Sequence, residues 1–324
     1  MTLGVVIVTY NAADVIVPCL DTLLASPQPM RVVLVDNAST DATRRVIDTW
    51  RTAGTVPMAL PFAPSTPPSE KRRGSVEQIL APSNDGFAAG VNLGLKHLLA
   101  DQTLDRFWIL NPDTMIPPET PTAIATAPGG FALMGSRLVY ADPPHRIQID
   151  AGTVNKWTGV TGNLNLGANA NVALPHPQKA DFISGASMVA SRAFVENAGL
   201  MPEEYFLYYE EVDWAQRRGP LPLHLCENAI VYHRAGSAIG SPTLDSAPSA
   251  FSVYYKHRAR MMYLRRYHPW AFPTGYLYGL AKAAQFALTG HRPQAKALLN
   301  ALHGRRRSAD IAAQRSHEPL ESRA

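Results

Sequence analysis

The 324-residue chain is 46% hydrophobic and 17% charged, enough for one large or two modest domains around a sizeable core. Its two cysteines, Cys19 and Cys226, make no disulfide framework, which excludes the stapled secreted scaffolds. The net charge of +4 is unevenly spread. From Lys256 onward 13 Lys/Arg face 3 Asp/Glu, so a mildly acidic body carries a basic tail suited to an anionic surface or to water.

The first third alternates strand and helix signals. The β-branched run 3–10 predicts a strand buried on both faces, followed by a helix over 13–25. A second buried strand is predicted at 31–37, with Ser39 or Thr40 placed to cap a helix running to Ala53. Strands are predicted at 76–82 and 106–113, on either side of a helix over 86–100. This alternation predicts an α/β fold with a doubly wound sheet, whose ligand crevice lies beyond the carboxyl ends of the strands.

Residues 57–75, rich in Pro, Ser and charge, read as a surface insertion. After Gly130 come short strand-like pieces, Gly/Asn-rich loops, an acidic aromatic segment (201–218) and a helical last quarter. No window reaches the ~18 uninterrupted apolar residues of a spanning helix. The opening "MTLGVVIVTYN" lacks the basic n-region of a signal peptide, so a cytoplasmic protein is expected.

Polar residues close each of the first four strands: Thr9-Tyr10-Asn11, Asp36-Asn37, Ser83-Asn84-Asp85-Gly86 and Asn111-Pro112-Asp113. In a parallel sheet these ends converge. Asp36 suits the imide N–H of a pyrimidine base, and "GFAAG" opens a helix whose free N–H groups suit phosphate. Neither G-x-G-x-x-G nor a P-loop follows the first strand, which counts against a dehydrogenase and a P-loop NTPase. Asp113 offers a hard oxygen to Mg2+ or Mn2+, for which one carboxylate plus substrate phosphates is sufficient. His233, after a short strand, is a second ligand or a structural histidine.

In "YYEEVDW", Glu210 and Asp213 share a helix face and Glu211 points elsewhere. A carboxylate desolvated among aromatics suits a general base; the alternative is an acidic first turn that complements the helix dipole. Basic residues confined to the tail, without a recognition motif, argue against a nucleic-acid binder.

The motifs "VVIVTYN", "VDNASTD", "NDGFAAGVNLG", "LNPDT", "SGASMVASR", "YFLYYEEVDWAQRR" and "AIVYHRAGSA" together resemble family 2 of the inverting GT-A glycosyltransferases. The closest flavour is the bacterial rhamnosyltransferase-like branch that builds surface polysaccharides. The match runs in order from about residue 3 to about 267.

The resemblance implies a Rossmann-like, mostly parallel sheet flanked by helices. A GT-A catalytic domain would occupy 1–267, with a nucleotide-binding half (1–130) and an acceptor-binding half (131–267). A helical, basic extension with a disordered end would follow over 268–324. The resemblance also implies a nucleotide-sugar donor, with Asp36 on the base and Thr9, Tyr10 and Asn11 lining the same pocket. Asn84, Gly86, Asn92 and Asn111 belong to the same donor motifs, and Gly185 and Ala186 would border the donor sugar and acceptor.

Asp113, in the family's variant of D-x-D, would hold Mg2+ or Mn2+ on the diphosphate, with His233 completing the site. Glu210-Glu211 stands where the family usually shows Glu-Asp, which makes Glu211 the general base. Its extra methylene, about 1.5 Å of reach, leaves Asp213 as an alternative. The implied acceptor is a glycan or a lipid-linked sugar. The apolar stretch 270–289, interrupted by Lys282 and Gln285, is either a helix lying in the inner membrane surface or one packed on the catalytic domain. Rival readings are a catalytically silent nucleotide-sugar-binding scaffold and a sugar nucleotidyltransferase. The latter calls for a Gly-rich basic loop that "TYNAADVI" does not supply.

Overall fold

The structure is a computed structural model that describes residues 1–53, 61–62, 69, 72–73, 75–234 and 248–305. Most of the 57–75 insertion, the end of the "AIVYHRAGSA" motif and the last stretch of the basic tail lie outside the described residues.

Eleven strands are described. β1 (Leu3–Thr9), β2 (Met30–Asp36), β3 (Glu77–Leu80), β4 (Arg106–Leu110) and β5 (Thr114–Met115) come first, then β6 (Leu133–Tyr140) and β7 (Ile147–Ile149). β8 (Gly152–Val154) and β9 (Thr161–Asn163) form a separate two-stranded hairpin, followed by β10 (Ser187–Ser191) and β11 (His224–His233). The main sheet runs β3-β2-β1-β4-β10-β6-β11-β5, with β7 paired to β6.

β1, β2, β3 and β4 are parallel, and β11 is parallel to β6. β10 runs antiparallel to both β4 and β6, and β5 antiparallel to β11. The result is the expected α/β fold with a mostly parallel sheet. From β1 the chain order runs outward in both directions, through β2 on one side and β4 on the other, so a switch-point crevice opens at their carboxyl ends.

All seven residues of β1 are buried, because helices cover both faces of the sheet. Its alternation divides it between two cores. Val6 and Val8 pack with Val33 and Val35 under α3 (Phe87–Leu99), whereas Val5 and Ile7 pack with Val32 and Leu34 over α1 (Ile16–Ala25). The second core contains both thiols, Cys19 on α1 and Cys226 on β11. Burial pushes Cys19 up to about 12 and raises Cys226 as well.

The remaining helices are α2 (Thr43–Ala53), α4 (Thr120–Thr126), α5 (Arg192–Ala198), α6 (Glu210–Gln216), α7 (Ala250–Tyr267), α8 (Phe272–Leu288) and α9 (Arg292–Leu302). α2 begins later than the Ser39 or Thr40 cap predicts, because those two residues are bonded to the end of β1. The 270–289 stretch is two-faced. Gly275 and Gly279 bring α8 so close that an added Cβ would lie 2.2 Å from Leu264 and 2.8 Å from Leu302, while Leu277 and Leu288 face outward. No helix among the described residues is long and apolar enough to cross a membrane.

α3 crosses β1 at Gly90 and Gly94, where an added Cβ would meet Val8 Cγ1 at 2.6 Å and Val6 Cγ1 at 2.5 Å. Alanine gains about 1 kcal/mol of helix propensity, but overpacking a β-branched core neighbour costs about 1–3 kcal/mol. Gly94→Ala is therefore expected to lower the unfolding free energy, read from a urea denaturation midpoint.

Candidate active site

The segment "VDNASTDAT" stitches the ends of β1 and β2 together. Asp36 is fully buried and accepts from Thr9 Oγ1 at 3.3 Å, Ser39 N at 3.2 Å and Arg44 Nε at 2.5 Å. Asn11 Oδ1 accepts from Thr40 N at 2.9 Å, and Asn11 N donates to Ser39 Oγ at 3.0 Å. Asp41, not Ser39 or Thr40, serves the start of α2, accepting from Thr43 N at 2.9 Å. Thr43 Oγ1 in turn accepts from Ala12 N at 2.8 Å. Of the predicted base pocket, Tyr10 and Asn11 stand exposed, whereas Thr9 and Asp36 are fully buried.

Asn37 Nδ2 donates to Gly86 O at 2.9 Å, which joins this floor to the start of α3. Gly86 has φ +100° and leaves no room for a side chain, since a Cβ would fall 2.2 Å from Phe206 O. Asn84 Oδ1 accepts from Gly86 N at 3.2 Å. The expected phosphate donor at the first helical position is otherwise engaged: Phe87 N donates to Phe206 O at 3.0 Å. Gly185 lies against Phe87, and Ala186 O accepts from Asn111 N at 3.0 Å, so the entry to β10 closes onto the ends of β4 and α3.

Asn92 corrects the sequence reading. It is buried on the second turn of α3, with Nδ2 donating to Met201 O at 2.8 Å and Glu203 Oε1 at 2.7 Å, and Oδ1 accepting from Met201 N at 3.0 Å. Its amide clamps a helix to a loop and is not available to a donor.

Asp113 and His233 meet at the same carboxyl edge, with Oδ1 and Nε2 3.1 Å apart. His233 Nδ1 lies 2.7 Å from Gln148 Oε1, a contact that fixes the orientation of the ring with Nε2 toward Asp113. An imidazole nitrogen and a carboxylate oxygen are both ligand atoms that suit a hard divalent cation. Adjacent ligand atoms on an octahedral Mg2+-like ion with ~2.1 Å bonds are about 3.0 Å apart, which this pair matches.

Asn111 Nδ2 lies 3.4 Å from the same Nε2, and a pocket lined by Val15, Pro18, Thr114, Met115 and Arg234 opens at Asp113. Among the described residues no group of three His, Cys, Asp or Glu forms a metal site by itself, so substrate oxygens would complete the shell. Gln148, which orients the histidine, escaped sequence reading. Its only sequence signal is a polar residue between two isoleucines on β7.

The acidic helix α6 follows a strained turn. Phe206, Tyr208 and Tyr209 have φ of 67°, 67° and 70°, left-handed values that cost non-glycine residues about 1–3 kcal/mol each. The turn is held from outside. Tyr209 Oη donates to Gly159 O at 2.6 Å, Tyr208 Oη pairs with Ser252 Oγ of α7 at 2.7 Å, and Phe206 packs on Tyr255.

Three carboxylates leave this turn with different fates. Asp213 is fully buried and accepts from Tyr205 Oη, Arg266 Nη1, Arg217 Nε and Tyr267 Oη at 2.8, 2.6, 2.7 and 2.9 Å. Four donors fill a carboxylate's acceptor sites, so the geometry argues against Asp213 as the alternative proton acceptor. Glu210 is buried, and its Oε2 has no hydrogen-bond partner among the described residues. Desolvation, then the charge of Glu211, push it well above the carboxylate range. Glu211 is half-buried and raised to about 7 by desolvation, opposed by its own local backbone donors and by the Lys256 ammonium on α7. Near neutrality Glu210 keeps its proton and Glu211 is the member that ionises.

The model of glycosyl transferase family 2 matches residues 4–127. Over 193 residues the chain is 23% identical to the low-salt glycan biosynthesis hexosyltransferase Agl10 of Haloferax volcanii, an overlap of 58% of this chain and 59% of that protein. This chain thus spans less than two thirds of that relative's length.

Among solved structures, the mannosyltransferase PcManGT from Pyrobaculum calidifontis, in complex with GDP-Man and Mn2+, superposes with a TM-score of 0.53 at 17% identity, covering 99% of this chain and 82% of that one. S. aureus TarS 1-349 in complex with UDP-GlcNAc gives 0.52 at 15% identity, covering 93% and 79%. The structural likenesses show a GT-A-like fold for this chain.

Asp213→Asn should lower the unfolding free energy by about 2–3 kcal/mol, below the usual range for a broken buried pair because both arginines reach solvent. Glu211→Gln should be neutral or slightly stabilising at pH 8. A carboxyl whose folded pKa is raised destabilises the fold once pH passes its unfolded value, and the amide removes that penalty. Thermal melts of the two variants check both signs.

Proposed function

We propose that the chain is an inverting, metal-dependent glycosyltransferase that moves a sugar from a nucleotide-diphosphate donor to a hydroxyl of a glycan or lipid-linked acceptor. The observation that carries this reading is the Asp113–His233 pair, a carboxylate oxygen and an imidazole nitrogen 3.1 Å apart at the switch-point edge of a GT-A sheet. The H. volcanii relative is named a hexosyltransferase of glycan biosynthesis, and the two structural neighbours were solved with GDP-Man and with UDP-GlcNAc. Hexose donors are therefore the first to assay, and a deoxyhexose such as rhamnose the second. We place the catalytic unit in residues 1–267, treat 268–324 as its extension, and locate the reaction on the cytoplasmic side.

In this reading Asp36 receives the base with Thr9, Tyr10 and Asn11. Arg44, whose side chain is partly exposed, yields its contact with Asp36 as the base arrives. Asp113 and His233 would hold Mg2+ or Mn2+, which neutralises charge growing on the departing diphosphate. Glu211 takes the acceptor hydroxyl proton as that oxygen attacks the anomeric carbon from the face opposite the nucleotide. The new C–O bond forms as the carbon–phosphate oxygen bond breaks, its electron pair leaves with the diphosphate, and the configuration inverts. Gly185, without a side chain, and Ala186 border the sugar. Glu210, protonated, keeps a second negative charge away from Glu211.

A thermal-shift screen of nucleotide-sugars with Mn2+, followed by detection of the released nucleoside diphosphate, tests the reading. With the donor found, kcat/KM should rise about tenfold per pH unit on the acid side and level off above about 7, as Glu211 ionises. Glu211→Gln should retain donor binding and lose about a hundredfold to ten-thousandfold in turnover; full turnover would remove Glu211 from the role. Asp113→Ala should abolish Mn2+-dependent donor binding in calorimetry, and undiminished binding would rule out this metal site.

A further inference from the structure

α8 packs by one face only. Its buried residues are Gly275, Gly279 and Ala283, which seat it on α7 and α9. At about 100° per residue, Pro273, Leu277, Ala281, Ala284 and Leu288 fall within an arc of about 80° on the opposite side. All five are exposed, with Leu277 at 62% and Leu288 at 88%.

This stripe carries no charge. At its amino-terminal end stand two more exposed apolar groups, Trp157 at 63% and Trp270 at 54%, with ring centroids 4.7 Å apart. Trp157 comes from the turn of the β8–β9 hairpin, and Thr274 of α8 donates to its carbonyl oxygen. Two separate segments thus build one apolar rim.

The surroundings are cationic. Residues 250–305 contain nine Lys/Arg and no Asp or Glu. Lys156 beside Trp157, Arg265 over the Phe272 ring, and Arg292 and Lys296 on α9 are all exposed. Leucine and alanine on one face, tryptophans at its end and cations around it match the chemistry of a bilayer interface with anionic headgroups.

We propose that this face, formed by Trp157, Trp270 and the outer stripe of α8, docks the protein on an anionic lipid surface, with α8 lying in the plane of the interface. The docking is independent of the catalytic assignment, because none of these residues belongs to the crevice.

The test is co-sedimentation of the full chain with vesicles of phosphatidylcholine alone and of phosphatidylcholine with phosphatidylglycerol. Leu277→Glu and Trp270→Ala serve as variants, and Leu288→Glu replaces either one that fails to keep the wild-type melting temperature. Wild type should partition onto the phosphatidylglycerol vesicles and far less onto neutral ones. Each variant should bind roughly tenfold more weakly or worse. Three results overturn the proposal: absence of binding to anionic vesicles, binding unchanged by the variants, or a solution dimer that Leu277→Glu dissolves. The last would assign the face to a second copy of the chain.

Discussion

Phe206, Tyr208 and Tyr209 sit in left-handed backbone conformations in the four residues before α6, and the site is arranged around that constraint. Such a turn persists only if neighbours over-determine it. Here α3 supplies Phe87 N to the Phe206 carbonyl, Gly159 in the β8–β9 turn receives the Tyr209 hydroxyl, and α7 supplies Ser252 and Tyr255. α3, the β8–β9 hairpin and the C-terminal helix α7 are therefore fastened at one point. Glu210 and Glu211 follow directly from it, so their environment is set by all three.

The same short stretch separates its carboxylates by what surrounds them. Asp213 turns toward Arg217 and Arg266 and becomes a structural anion. Glu210 turns into the core without a cation and is held neutral. Glu211 stays near the surface with Lys256 in range, between those extremes. A helical wheel gives the directions of these side chains but not the walls they meet, and the walls decide their chemistry.

Much of the fold was legible because the signals were local. The β-branched run of β1, the alternation with helices and the polar closures at Asp36 and Asn111 are short-range patterns, and the sheet follows from them. The antiparallel insertions of β5 and β10 depend on pairing partners more than fifty to more than a hundred residues away, and no local pattern encodes that.

Site residues divide in the same way. Asp113 and His233 were identified by motif, and the structure brings them together across 120 residues. Asn92 was grouped with the donor motifs because it sits among them in sequence, yet its helical phase turns it toward Met201. Ser39 and Thr40 have the composition of helix caps, but Asn11, in the loop just past β1, claims them first.

The two thiols offer a last consequence. Cys19 rides on α1, Cys226 on β11, and both are sealed within one continuous core where the thiolate is disfavoured. Alkylating reagents would find neither in the closed molecule. Labelling kinetics of each sulfur, followed by peptide mass, would report how often the core around α1 and around β11 breathes open, and whether the two loosen together or one ahead of the other.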